Sequence, residues 1–211
     1  MRLTPASEPS RERWNHRWAG ERAQASTAPS RFLVAEATDL RVGTALDLAC
    51  GAGRNAVWLA GQGWRVTAVD FSEVALRMAR RLAAERRVEV DWIEADVVAW
   101  TPPARAYDLV CVLYLQLPAP ARRTVLARAA EAVRAGGTLL VVGHDLLNLT
   151  EGWGGPTQPD VLFTPDDVVA EIGDLRVEKA QRVRRAVEEP GASREAIDCL
   201  VRARRPPSAA V

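Results

Sequence analysis

The chain has 211 residues, with 28 basic and 27 acidic side chains and a formal net charge of +1. That length suits one domain with a sizeable core, and so even a charge balance gives no general attraction for nucleic acid. No apolar run is long enough to span a membrane, the first residues lack the apolar segment of a secretory leader, and the cysteines Cys50, Cys111 and Cys199 have no metal-ligand spacing, so a reduced, cytoplasmic setting is expected.

Residues 1–10 are polar with two prolines and are expected to fray. Trp14 and Trp18 then stand four apart, so a helix from Arg11 presents both on one face. That face either staples onto the core or forms a flap. His16 is expected at the surface. Ser30 is a plausible cap for a second helix that ends before Val42-Gly43.

Thr44 to Ala49 is a short apolar strand that runs into Cys50-Gly51-Ala52-Gly53. A helical pattern follows from Arg54 to Gln62 and stops at Gly63. A strand, tight loop and helix N-terminus in this order offer free backbone N–H groups and the positive end of a helix dipole. Gly51 and Gly53 permit φ > 0 and leave room for a ligand against the backbone. With Ala56 they also fit the pyrophosphate fingerprint of dinucleotide enzymes. Asp47, an acid inside the apolar strand, tilts the reading. A pyrophosphate gains little from it, whereas a ligand with an ammonium group gains an anchor.

Trp64 to Asp70 is a second strand, ending in an acid 19 residues after Gly51 and placed to accept from ribose hydroxyls. Ser72 caps a helix whose apolar side carries Val74, Ala75, Met78, Ala79 and Leu82, with Met78 in the core. Val88 to Glu94 alternates as a half-exposed strand does, and Asp96 and Val97 follow it. Tyr107 to Leu113 is apolar on both faces and therefore central. Tyr114 and Gln116 leave its C-terminal end, where ligands sit in open α/β sheets. Arg122 to Arg134 is an amphipathic helix ended by Gly136-Gly137.

Thr138 to Gly143 is a fifth strand with His144 and Asp145 at its end. His144 is either a base or substrate hydrogen-bond donor, or a structural histidine. The stretch 148–156, glycine-rich with Trp153, is either a lid or an ordinary loop. Thr164-Pro165-Asp166-Asp167 starts a helix that ends near Gly173. Leu175 to Val187 and Glu195 to Ala203 form a hairpin through Pro190-Gly191.

Four features together carry a family likeness: Asp47 with the glycine loop, Asp70, Asp96 and the closing hairpin. Over about Asp39 to Arg205 the chain resembles class I S-adenosylmethionine-dependent methyltransferases. The run Gly51-x-Gly53-Arg54-Asn55-Ala56 with Trp58-Leu59-Ala60 most resembles their small-molecule branch of tellurite-resistance and thiopurine type. The resemblance implies an α/β fold: a seven-stranded Rossmann-like sheet, mostly parallel with an antiparallel C-terminal strand, and helices on both faces. It divides the chain into a helical segment at 1–38 covering the cofactor site, the domain at 39–205 and a tail at 206–211.

It further implies S-adenosylmethionine as cofactor, leaving as S-adenosylhomocysteine. The contacts carried over are Trp14, Arg17, Asp47, Ala49, Gly51, Gly53, Arg54, Asn55, Asp70, Phe71, Asp96, Val97, Leu113 and Tyr114. Asp96 would accept from the adenine amino group, with the backbone of Val97 reading the ring. The expected activity is in-line methyl transfer to a small-molecule acceptor, with no metal. His144 is the first base candidate, backed by Asp145 or Tyr114. The expected assembly is a monomer or homodimer without nucleic-acid or membrane partners. A nicotinamide-dependent oxidoreductase keeps the glycine loop and Asp70 but leaves Asp47 and Asp96 without a role. A non-catalytic binding or scaffold protein of the same fold is the other alternative.

Overall fold

A computed structural model describes residues 11–20, 26–189 and 192–207. Residues 1–10, expected from the sequence to fray, the expected Pro190-Gly191 connection and residues 208–211 lie outside these. The elements in chain order are α1 (Arg11–Ala19), α2 (Arg31–Ala37), β1 (Thr44–Leu48), α3 (Arg54–Gly61), β2 (Arg65–Asp70), α4 (Glu73–Arg86), β3 (Asp91–Glu94), β4 (Tyr107–Leu113), α5 (Ala119–Ala132), β5 (Val133–His144), α6 (Asn148–Glu151), α7 (Pro165–Glu171), β6 (Arg176–Glu189) and β7 (Ala192–Arg204). The sheet order is β3-β2-β1-β4-β5-β7-β6. Strands β1 to β5 are parallel, while β7 runs antiparallel to both β5 and β6. This is the expected seven-stranded methyltransferase sheet. No helix among the described residues is long and apolar enough to cross a membrane.

Side chains alternate across the sheet, and this period assigns every site residue to a face. One face buries Leu46, Leu48, Val110, Val112, Leu139, Val141 and Cys199 against α5 and α7. The other buries Ala45, Ala68, Leu109, Cys111, Leu113, Leu140, Val142 and Leu200 against α2 and α3. The register aligns Asp47 with Ala68 and with Cys111, and Cys111 with Leu140. Asp47, Asp70 and His144 therefore share the α2/α3 face, since each lies an even number of residues from an aligned position on its strand.

Several boundaries differ from the sequence reading. The third strand keeps only Asp91–Glu94, because Val88 to Val90 have no ladder partner. Helix α5 ends at Ala132, and Gly136-Gly137 lie inside β5. A Cβ on Gly137 would sit 2.9 Å from the Tyr107 carbonyl oxygen, so glycine permits close strand approach there rather than ending the helix. Met78 is only partly buried; the buried positions of α4 are Ala75, Leu76, Ala79, Leu82 and Ala83. Ser30 precedes α2 but its hydroxyl makes no capping bond. Thr164 and Asp167 do form a reciprocal capping box at α7.

Candidate active site

The first half of the site grows from the end of β1. Ala49, Gly51 and Gly53 all have positive φ, at 59°, 55° and 79°. This left-handed backbone turns the chain sharply between the strand and α3. The Gly51 N–H donates to Asp70 Oδ2 at 2.8 Å, and the Ser72 N–H donates to Asp70 Oδ1 at 2.9 Å. The acid at the end of β2 is thus fixed by two backbone donors, with lone pairs left for two more. Burial still pushes its pKa above the ordinary carboxylate value.

Asp47 is 1% exposed, and its Oδ2 has no hydrogen-bond partner. Burial is the main cause that lifts its pKa to about 7; the charge of Asp70 adds to this, and Arg54 and the Ala56 backbone oppose it. A buried carboxylate oxygen without a partner costs free energy that a cationic ligand group beside it would recover. The residues fit a ligand that carries both an ammonium group and ribose hydroxyls.

The two glycines differ in what they make room for. A Cβ on Gly53 would lie 2.7 Å from both Ala79 Cβ and a Trp92 ring carbon. Gly53 therefore serves packing against α4 and β3, and not ligand space as its sequence pattern suggested. A Cβ on Gly51 would meet the ring of Trp18 at 3.0 Å. Helix α1 lies along this rim, held by a 2.6 Å bond from Ser72 Oγ to Asn15 Oδ1 and a 2.8 Å ion pair between Arg11 and Glu94. Trp14 stands 6.4 Å from Trp18, centroid to centroid, and Arg17 stacks over Trp14.

Other predicted contacts are dispersed. Asn55 is buried, and its Oδ1 accepts from the Ser30 N–H at 2.9 Å, which ties α3 to the start of α2. Asp96 is exposed and its Oδ1 accepts from the Val98 N–H in a local turn. The Val97 side chain belongs to the core on the α5/α7 side, and Leu113 to the core on the other. Phe71 is half-buried.

The second half lies at the ends of β4, β5 and β7. His144 pairs with Asp198 across the antiparallel ladder, so their side chains project together. His144 Nδ1 lies 3.2 Å from Asp198 Oδ1, an ion-pair contact without the alignment of a hydrogen bond. Asp198 Oδ2 accepts from the Tyr114 hydroxyl at 2.9 Å and from Arg185 Nε at 2.9 Å. Although burial opposes ionisation, the contact with His144 and the bond from Arg185 hold the Asp198 pKa below the ordinary value. Burial and the Asp198 charge push the Tyr114 hydroxyl well up, so it stays protonated. The Tyr114 and His144 rings are 5.3 Å apart.

Gln116 is a clamp rather than a site residue. Its Nε2 donates to the Val161 carbonyl and its Oε1 accepts from the His144 backbone N–H. Gly155 lies against the imidazole, where a Cβ would be 2.9 Å from the ring.

Asp145 is the main correction. One residue beyond His144, it turns to the opposite face, fully buried, where Oδ1 accepts from Arg182 Nε at 2.9 Å and from the Leu147 N–H at 2.8 Å. The acid behind His144 is Asp198, which the sequence reading passed over. The missed signal is the one that exposed Asp47: an acid within an apolar strand, here Ala196-Ile197-Asp198-Cys199-Leu200.

Residues 45–137 match the methyltransferase domain family. Trans-aconitate 2-methyltransferase of Rhizobium meliloti (strain 1021) is 33% identical over 124 residues, which cover 58% of this chain and 46% of that protein. The chain thus spans about half the length of the curated relatives it matches. TehB from Haemophilus influenzae superposes with a TM-score of 0.70 at 16% identity, covering 92% of this chain and 66% of TehB. Magnesium protoporphyrin IX methyltransferase (ChlM) from Synechocystis PCC 6803, solved with bound SAH, gives 0.61 at 19% identity, covering 82% of this chain and 78% of that chain. At these identities the structural likenesses carry the fold and do not single out the tellurite-resistance branch.

Proposed function

We propose, from a chain built on a class I S-adenosylmethionine-dependent methyltransferase domain, that it is a methyltransferase acting on a small-molecule acceptor. The observation that carries this reading is the unpartnered, buried Asp47 carboxylate beside the left-handed glycine loop. Asp47 takes the ammonium of S-adenosylmethionine, and Asp70 takes the ribose hydroxyls. The N-terminus of α3 offers its first N–H groups to the cofactor carboxylate. When bound, the cofactor supplies an electrophilic methyl on a sulfonium whose sulfide is a good leaving group. The protein then has to align acceptor and methyl and exclude water.

Helix α1, carrying Trp14, Arg17 and Trp18, covers the bound cofactor. Asp96 and the Val97 backbone read the adenine from the far side of the rim, while Phe71, Ala49 and Leu113 line its path. A small acceptor is supported by the small-molecule names of the relatives, trans-aconitate 2-methyltransferase and ubiquinone biosynthesis O-methyltransferase.

Isothermal titration with S-adenosylmethionine tests the cofactor claim. Binding is expected for the unaltered protein and a loss of about 100-fold for Asp47→Ala, as for a charged hydrogen bond worth about 2–3 kcal/mol. Asp70→Ala is expected to weaken binding similarly. Unchanged affinity in both variants removes this assignment.

A further inference from the structure

We propose that Asp198 is a positioning residue that fixes His144 as a general base, and that the methyl acceptor is a neutral hydroxyl group that loses its proton during transfer. This rests on the methyl-transfer reading above and adds the class of acceptor to it.

The charge on Asp198 favours one proton arrangement at this contact. His144 Nδ1 and Asp198 Oδ1 are both buried, 3.2 Å apart, and neither has another hydrogen-bond partner. A lone pair on Nδ1 would face a carboxylate lone pair at that distance. A proton on Nδ1 faces the charge instead, which makes Nε2 the unprotonated, basic nitrogen. Asp198 stays ionised, because Arg185 and Tyr114 both donate to its other oxygen. Gln116 holds the His144 backbone and Gly155 lies against the ring. The imidazole is thus fixed in both position and tautomer, the two requirements of a base that must meet a bound proton.

The register puts this base at the level of the cofactor loop. Asp47, Cys111 and Leu140 are aligned on β1, β4 and β5. His144 ends β5 four residues beyond that level, and the glycine loop leaves β1 one residue beyond it, two strand spacings or about 10 Å away across the sheet. His144 shares the face of Asp47 and Asp70. An acceptor between the two would be within reach of both the methyl and Nε2.

The charge of the cluster selects the acceptor. Asp198 is balanced by Arg185, and the titratable groups around His144 from β4, β6 and β7 are Tyr114, Arg185 and Asp198. Asp145 faces the opposite side and is held by Arg182. Among the described residues no carboxylate beside His144 is left without a cation to hold an ammonium acceptor. A carboxylate or thiolate is already a nucleophile and has no proton to give. A neutral hydroxyl needs the base, because its oxygen must lose a proton as the new bond forms. In the step itself an oxygen lone pair forms the new C–O bond as the C–S bond breaks, with its electron pair going to sulfur. The hydroxyl proton moves to His144 Nε2, and the resulting imidazolium is stabilised by Asp198.

The chain has two histidines, His16 and His144, so nitrogen-15 NMR of histidine-labelled protein reads the tautomer without any acceptor. His144→Gln assigns the signals. The Nδ1–H tautomer is expected for His144 in the unaltered protein and in Asp145→Asn, and a tautomer mixture in Asp198→Asn. An Nε2–H tautomer in the unaltered protein overturns the proposal, even if Asp198→Asn fails to fold.

Transfer from S-adenosylmethionine is then assayed with phenol, an enolic 1,3-diketone, thiophenol and trans-aconitate. Methylation of a hydroxyl probe is expected, with kcat reduced about 100-fold or more in His144→Gln. Asp198→Asn should change kcat and its pH profile while leaving acceptor KM in place. Transfer only to thiophenol or trans-aconitate, or to no hydroxyl probe by a protein that binds the cofactor, overturns the acceptor class. Failure to bind S-adenosylmethionine in the titration instead removes the underlying function.

Discussion

Two buried carboxylates on one face of the sheet, Asp47 and Asp198, face opposite circumstances. They are 1% and 0% exposed. Asp47 has an oxygen with no partner, and its pKa is raised to about 7, mainly by burial. Asp198 is engaged by Arg185, Tyr114 and His144, and its pKa is lowered. Burial alone therefore does not set the charge of an acid; its partners do. Among the described residues Asp47 forms no ion pair, whereas Asp198 meets both Arg185 and the imidazole.

The largest effect that tests this contrast is on stability. Asp198→Ala leaves Arg185 without its acid and should cost about 3 kcal/mol in chemical denaturation, in the range for breaking a buried pair. Asp47→Asn removes a charge that folding must desolvate, so stability at pH 8 is expected to hold or rise. Equal losses in both variants would erase the distinction. The same Asp47→Asn change should weaken S-adenosylmethionine by about 100-fold, since a charged hydrogen bond is worth about 2–3 kcal/mol.

The pH dependences should run in opposite senses. The folded pKa of Asp47 is above its unfolded value, so between about 4 and 7 the native state binds more protons. Its contribution is full below that window and is lost as pH rises to about 7. Asp198 has a depressed folded pKa. Its contribution is present above the ordinary carboxylate value and is lost as pH falls through the folded pKa. Denaturation profiles of the two Asn variants against the unaltered protein should each flatten one of these limbs. An ammonium ligand also returns Asp47 to its ionised form. Binding at pH 6 should then release a proton, seen as a calorimetric enthalpy that depends on the ionisation heat of the buffer. The smallest effect is expected for Asp145→Asn. The new Oδ1 still accepts from Leu147 and Arg182, so the midpoint should move by less than about 1 kcal/mol, with the His144 tautomer unchanged.

The strand order of a methyltransferase was legible because apolar runs, glycines and helix caps are local signals. The grouping of Asp47, Gly51 and Asp70 was legible for the same reason: they sit within one βαβ unit. The pairing of His144 with Asp198 was not, because the two meet only through the β5–β7 ladder. Reading His144-Asp145 as a unit ignored the period of two that sends neighbours to opposite faces. Asn55 and Gly53 were read as ligand contacts where the backbone of α2 and the ring of Trp92 take the space. Sequence adjacency to a motif does not reveal which neighbour a side chain meets.

The strand order has a consequence for how the molecule is made. Among the described strands β6 has a backbone ladder with β7 alone, and β7 lies between β5 and β6. During synthesis β6 emerges with nowhere to dock, and the β5 edge stays bare until the following strand has been translated. The hairpin must add as one piece, a late and non-local step of the kind that slows folding and exposes strand edges. Only with that step does Asp198 arrive at His144. A nascent chain can thus assemble the Asp47–Asp70 rim well before the imidazole has its acid.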